Sequence, residues 1–271
     1  MFRRMSTHRA TGLAAIVTAT SLVGVAACGI ASSPAAGAMS GDVASRTMST
    51  SGSVTAGASV AAAPQRAVTT RAKAGRDVRA VAVPKGAKGK VVYLTFDDGP
   101  DPRYTPAILS TLARYKARAT FFMIGRSAKA HPALVRQVRA QGHTIGNHTF
   151  SHPWLTKKSA ATVAAELRST DAVLGRTTCM RPPGGFVNST VRSVAAGQHK
   201  KVIMWGGDTS DWSRPGTGRI VNSVMRGSKA GTIVLMHDGG GPRTQTVSAL
   251  STVLGQLSRK GYRFEPLPMC R

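Results

Sequence analysis

Val91-Val92-Tyr93-Leu94-Thr95-Phe96, running into Asp97-Asp98-Gly99-Pro100, is the stretch on which the fold turns. Six consecutive apolar, β-branched or aromatic residues read as a strand buried on both faces, and Gly99-Pro100 ends it in a turn. Its two carboxylates stand at its C-terminal end, where α/β folds assemble their sites.

Outward from this strand the texture repeats. Ile108, Leu109, Leu112 and Tyr115 have helical spacing over 105–116, and 119–124 is a second short apolar strand. Residues 132–140 read as a helix ended by Gly142, 143–146 as a weak strand, and 159–174 as the clearest helix, through Val163, Leu167, Val173 and Leu174. Strands are expected at 202–205, 232–236 and 262–265, with helices over 218–229 and 244–260 between them. Strands alternating with helices imply a mainly parallel α/β architecture. Asp97-Asp98, His148, Arg181, Asp208 and His237 each follow a strand-like segment, so a (β/α) barrel would bring them to one face. An open doubly wound sheet would gather them at one edge, but the chain has no phosphate-binding glycine loop. A barrel-like fold is therefore expected.

The first 90 residues have a different character. Arg3, Arg4 and Arg9 precede an apolar run over 11–27, which has the length of a signal sequence and is too short for a confident membrane span. Val25-Ala26-Ala27-Cys28 resembles a bacterial lipoprotein processing site and makes Cys28 a lipidation candidate; cleavage after Ala36-Gly37-Ala38 is the alternative. The expected organisation is a signal peptide at 1–28, a flexible basic Ala/Ser/Thr/Gly-rich linker at 29–89 and a catalytic domain at 90–271. An exported bacterial lipoprotein or secreted protein follows, with no transmembrane span in its mature form. Cys179 and Cys270 then form an even pair in an oxidising compartment, a disulfide candidate whose alternative is two buried thiols.

Lys plus Arg total 37 against 11 Asp plus Glu, a net charge of +26 that attracts anionic partners of any kind. Aromatics are 5% of residues, and no zinc-finger, helix-turn-helix or RNA-binding signature is present, so no nucleic-acid partner is expected. The basic linker suits contact with an anionic cell envelope. Nothing marks an oligomer interface, and a monomer is expected.

Acids are scarce from 91 to 271: nine, against 25 basic residues. Five of the nine are Asp97, Asp98, Asp208, Asp211 and Asp238, the last beside His237. Solubility does not require them there; a site does. His148-Thr149-Phe150-Ser151-His152 sets two imidazoles at i and i+4, the spacing of one helical turn. With a carboxylate from elsewhere they make a two-His, one-carboxylate set with open positions, and ligand type alone leaves zinc, iron, manganese and cobalt open. Adjacent Asp97 and Asp98 repel unless one is neutralised, and a divalent ion on Asp98 would leave Asp97 as a base. Arg181, stiffened by Pro182-Pro183, is expected to grip Asp97 with a bidentate pair. Asp211 is expected to orient His237 and raise its pKa towards use as an acid.

Thr95-Phe96-Asp97-Asp98-Gly99-Pro100, His148-Thr149-Phe150-Ser151-His152, Arg181-Pro182-Pro183-Gly184, Asp208-Thr209-Ser210-Asp211-Trp212 and Leu235-Met236-His237, in that order, resemble the five motifs of the polysaccharide deacetylases, the NodB-homology group or carbohydrate esterase family four. The resemblance covers about residues 90 to 265 and implies a deformed, often incomplete (β/α) barrel. It implies Asp97 as catalytic base, Asp98, His148 and His152 as metal ligands, and Arg181 as the group that positions Asp97. It further implies His237 as catalytic acid tuned by Asp211, with Trp212 and Leu235 walling an acetyl pocket. Zinc is the usual metal, cobalt or another divalent ion the alternative. The chain departs from the family at Gly184, where an aromatic residue is usual. Its backbone N–H can still serve an oxyanion, but the missing side chain implies a wider or floppier pocket rim. The implied reaction is removal of acetyl groups from a polysaccharide, first the N-acetylglucosamine of peptidoglycan. Chitin oligosaccharides and acetylated xylan are the alternatives, and a non-catalytic glycan-binding protein of the cell wall is the rival of another class.

Overall fold

The computed structural model describes residues 89–271; the expected signal peptide at 1–28 with Cys28, and all but the last residue of the expected linker at 29–89, lie outside the described residues. Strand β1 (Val91–Asp97) is buried along its whole length and pairs in parallel with β2 (Thr120–Met123) on one side and β7 (Ile233–His237) on the other. Beyond them lie β3 (Thr144–Asn147), β4 (Cys179–Met180), β5 (Lys201–Val202) and β6 (Gly207–Asp208), in the order β5-β4-β3-β2-β1-β7-β6. A last strand, β8 (Arg263–Phe264), pairs with the first two residues of β1. Every pairing is parallel, and among the described residues none joins β5 to β6. The sheet is thus a half-barrel left open on one side, the deformed barrel that the sequence implied.

Period-two alternation sorts the strands' side chains into two populations. Val92, Leu94 and Phe96 join Phe121, Val234 and Met236 in the core beneath the helices, where Phe96 and Phe121 stack at 5.1 Å. Truncating either ring to Ala would cost about 3–5 kcal/mol. Val91 and Tyr93 join Phe122, Cys179, Ile203 and Ile233 in the smaller inner cluster. By the same alternation Thr95 and Asp97 of β1, and Leu235 and His237 of β7, turn inward. Asp97 and His237 are register partners. The sequence that builds the core therefore also aims the acid and the imidazole at one interior.

The helices are α1 (Thr105–Arg114), α2 (Gly125–Ala130), α3 (Pro132–Ala140), α4 (Ala160–Leu174), α5 (Ser189–Gly197), α6 (Thr217–Gly227) and α7 (Thr244–Arg259). Five match the expected segments. Helices α2 and α5 were not expected; α2 is six residues long and buries Gly125 and Ala128, and α5 buries Val191 and Ala195. The strand expected over 202–205 stops at Val202, since beyond Ile203 the main chain crosses the open side of the barrel. Ser159 caps α4, accepting from the Thr162 N–H, and Gly175 at φ 72° ends it. Cys179 and Cys270 are joined in a disulfide that ties the C-terminal segment to β4.

Candidate active site

At the C-terminal ends of the strands, Arg181 is wholly buried beneath Asp97. Its Nη1 donates to Asp97 Oδ1 at 2.8 Å and to Thr95 Oγ1 at 2.7 Å. The expected bidentate grip is not made, because the other guanidinium nitrogens serve elsewhere: Nε donates to Ile203 O and Nη2 to Met204 O, both at 3.3 Å. These carbonyls belong to the segment at the barrel's open side, where no neighbouring strand pairs with them. The guanidinium also stacks 4.2 Å over Phe122. Burial pulls the Arg181 pKa down against the Asp97 charge, yet its ordinary value is so high that it remains a cation. One side chain therefore fixes Asp97 and closes the gap, leaving Asp97 Oδ2 clear of the arginine.

Asp98 leaves the strand with φ 73°, a left-handed conformation that Asp tolerates better than most residues. That turn separates it from Asp97 and brings its Oδ1 to 3.3 Å from His148 Nε2 and 3.1 Å from His152 Nε2. Neither approach is aligned as a hydrogen bond, and Oδ1 is buried without a hydrogen-bond partner. Burial pushes the Asp98 carboxyl up, but the two adjacent imidazoles outweigh it and hold it well below the usual carboxylate range. His148 Nδ1 lies 2.7 Å from the Arg181 carbonyl, which can only accept, so a hydrogen sits on Nδ1 and Nε2 is left to face Asp98. Three ligand atoms within 4.8 Å of one another converge without satisfying one another. A divalent cation is what this arrangement fits.

The 148–152 segment is a loop and not the helical turn suggested by its i, i+4 spacing. Thr149 and His152 have φ of 66° and 62°, which no helix allows. The missing helical bonds are replaced from outside. Asn147 Oδ1 accepts from the Thr149 N–H, and Glu166 of α4 accepts from the N–H groups of Phe150 and Ser151 and from Ser151 Oγ, at 2.7–2.8 Å. Glu166 and Asn147 were not read as site residues, because side chains that bind a distant backbone leave no periodic trace.

Across β1 from this loop, Asp211 is buried and accepts three hydrogen bonds from two residues: from the His237 N–H, from His237 Nδ1 at 2.7 Å and from Thr246 Oγ1. His237 Nε2 is left for the site. Burial pulls the His237 pKa down, but the Asp211 hydrogen bond and charge, joined by Asp97 and Asp98, carry it above its ordinary value. Burial likewise opposes ionisation of Asp211, and His237 outweighs it in turn. Asp238, fully buried with Thr105 Oγ1 donating to it, is driven by burial to a pKa of about 7. A Cβ on Gly240 would lie 2.9 Å from Asp98 Cγ, so only glycine lets the 238–240 loop pass this close. Leu235 is buried and Trp212 is 59% exposed. Asp208 is exposed and closes a local turn through the Ser210 N–H. Among the described residues the Gly184 N–H has no acceptor, while those of Gly185 and Phe186 bond to Pro182 and Pro183 carbonyls.

Comparison with known proteins agrees with this geometry. The family described as polysaccharide deacetylase matches residues 84–203. A peptidoglycan-N-acetylglucosamine deacetylase of Bacillus cereus is 44% identical over 181 residues, covering 65% of this chain and 85% of that protein. A chitooligosaccharide deacetylase of a Bradyrhizobium species is 39% identical over 195 residues, covering 65% and 89%. A solved peptidoglycan N-acetylglucosamine deacetylase, in complex with 4-naphthalen-1-yl-N-oxidanyl-benzamide, superposes with a TM-score of 0.64 at 35% identity, over 66% of this chain and 87% of its own.

Proposed function

The chain belongs to the polysaccharide deacetylase family of hydrolases, and we propose that it removes the N-acetyl group from N-acetylglucosamine of peptidoglycan with the help of a divalent cation, zinc first. The observation that carries this reading is the cradle of Asp98 Oδ1, His148 Nε2 and His152 Nε2 beside the register pair Asp97 and His237. When bound there, the cation supplies Lewis-acid polarisation and lowers the pKa of nearby water.

The chain's own groups then divide the proton work. Asp97, held through Oδ1 by Arg181, accepts the proton of the attacking water. His237, its Nδ1 hydrogen given to Asp211, donates from Nε2 to the departing nitrogen, so that the amine leaves neutral. The unpaired Gly184 N–H donates to the acetyl oxygen as charge builds on it. Trp212 and Leu235 wall the methyl group.

The substrate choice rests on the Bacillus relative, and the Bradyrhizobium relative keeps chitin oligosaccharides as the second reading. The test is acetate release by the zinc-loaded full chain from peptidoglycan, chitin oligomers and acetylated xylan in parallel. Release from peptidoglycan that stops with a chelator and returns with zinc is expected. Metal bound and no acetate from any of the three would contradict it and favour a glycan-binding role.

A further inference from the structure

Three large apolar side chains of the described residues are exposed: Trp154 at 53%, Phe186 at 42% and Trp212 at 59%. None lies far along the chain from the site. Trp154 is two residues past His152, Phe186 two past Gly184, and Trp212 adjoins Asp211. Three exposed rings, each within two residues of a site residue along the chain, call for a ligand.

Two of these rings meet although they come from different loops. Trp154 and Phe186 have centroids 5.5 Å apart at an interplanar angle of 56°, forming an open corner, and the Lys157 ammonium stands 4.7 Å from the Trp154 ring. Phe186 is folded back over Gly184. A Cβ built on Gly184 would lie 2.8 and 2.9 Å from Phe186 Cε2 and Cδ2, and Gly184 has φ 62°. The space left by the missing side chain at 184 is therefore filled by the ring two residues on. The rim expected to be wide is an aromatic wall.

We infer that Trp154 and Phe186 form a sugar subsite that stacks a pyranose ring of the glycan next to the sugar being deacetylated. The inference rests on the polysaccharide deacetylase reading. A pyranose presents C–H groups on its faces and hydroxyls around its edge. Tilted aromatic rings bind the faces, while Lys157 offers a charged donor to the edge at the same corner. Continuity with the site selects this occupant: both rings hang from the loops that carry His152 and Gly184, so a chain whose acetyl group lies at the site runs on over them.

The test uses the zinc-loaded full chain and an N-acetylglucosamine pentasaccharide. Trp154→Ala and Phe186→Ala are each expected to raise KM roughly 5- to 10-fold, the scale of one lost aromatic contact, with kcat within about twofold, and Phe186→Tyr to restore KM. Unchanged KM in both alanine variants, or a fall confined to kcat, would overturn the subsite. Calorimetric titration of the same sugar separates this failure from failure of the deacetylase reading. If the wild-type chain releases no acetate, an unchanged Kd in the alanine variants still overturns the subsite, and a 5- to 10-fold weaker Kd still supports it.

Discussion

His148 and His237 are the same side chain at the ends of two parallel strands, both buried and both with a hydrogen on Nδ1 given to an oxygen 2.7 Å away. They differ in that oxygen. For His148 it is the backbone carbonyl of Arg181, which fixes the tautomer without adding a charge. For His237 it is the carboxylate of Asp211, which stabilises the imidazolium. Burial opposes protonation of both rings, and both pKa values nonetheless lie above the ordinary one. For His148 the lift comes from Asp97 and Asp98, the charges that a bound cation would offset. For His237 it comes first from Asp211, on the far side of the ring from the cradle. One histidine is built to stay neutral and ligate, the other to carry a proton.

Alanine at each position breaks the comparison most forcefully. His148→Ala should lose its metal and with it nearly all acetate release. His237→Ala should keep a full metal content while kcat falls about 10²- to 10⁴-fold. Metal analysis beside kinetics checks both, and metal loss from the His237 variant would erase the distinction. Asp211→Asn sharpens it. The carboxylate keeps His237 protonated to higher pH, so removing its charge lowers that pKa, and the alkaline limb of the kcat profile should move to lower pH as kcat drops. An unmoved limb would show that Asp211 does not tune the acid.

A smaller effect is expected on the ligand side. Glu166→Ala removes the acceptor for two backbone N–H groups of the loop that carries His148 and His152. Metal affinity should fall about 10-fold, the scale for residues that orient ligands, with kcat near normal once metal is saturating. Competition against a chelator reads this directly, and unchanged affinity would reduce Glu166 to a loop staple.

Much of this was legible in the sequence because it is periodic. The buried run through β1, the placing of Asp97 and His237 at the C-terminal ends of strands, and helix α3 over 132–140 all follow from the apolar segments. The illegible parts depend on contacts between distant segments. The His148–His152 spacing points to a helical turn, yet Asn147 and Glu166 supply hydrogen bonds that stabilise a left-handed loop instead. Arg181 was expected to spend two N–H groups on Asp97, but the half-barrel's open side claims Nε and Nη2. The ring of Phe186 over Gly184 could not be foreseen, since Gly184 announces only what is missing.

The central claim is that cation binding and proton transfer reside in separate groups at one site, and Asp97→Asn tests it most directly. The exchange keeps the shape of the side chain and removes its basicity, while Asp98, His148 and His152 are untouched. Metal content and acetate release should be measured together on the zinc-loaded full chain. The account predicts a normal metal content with acetate release abolished. Release near the wild-type rate, or loss of the metal along with the activity, would contradict it.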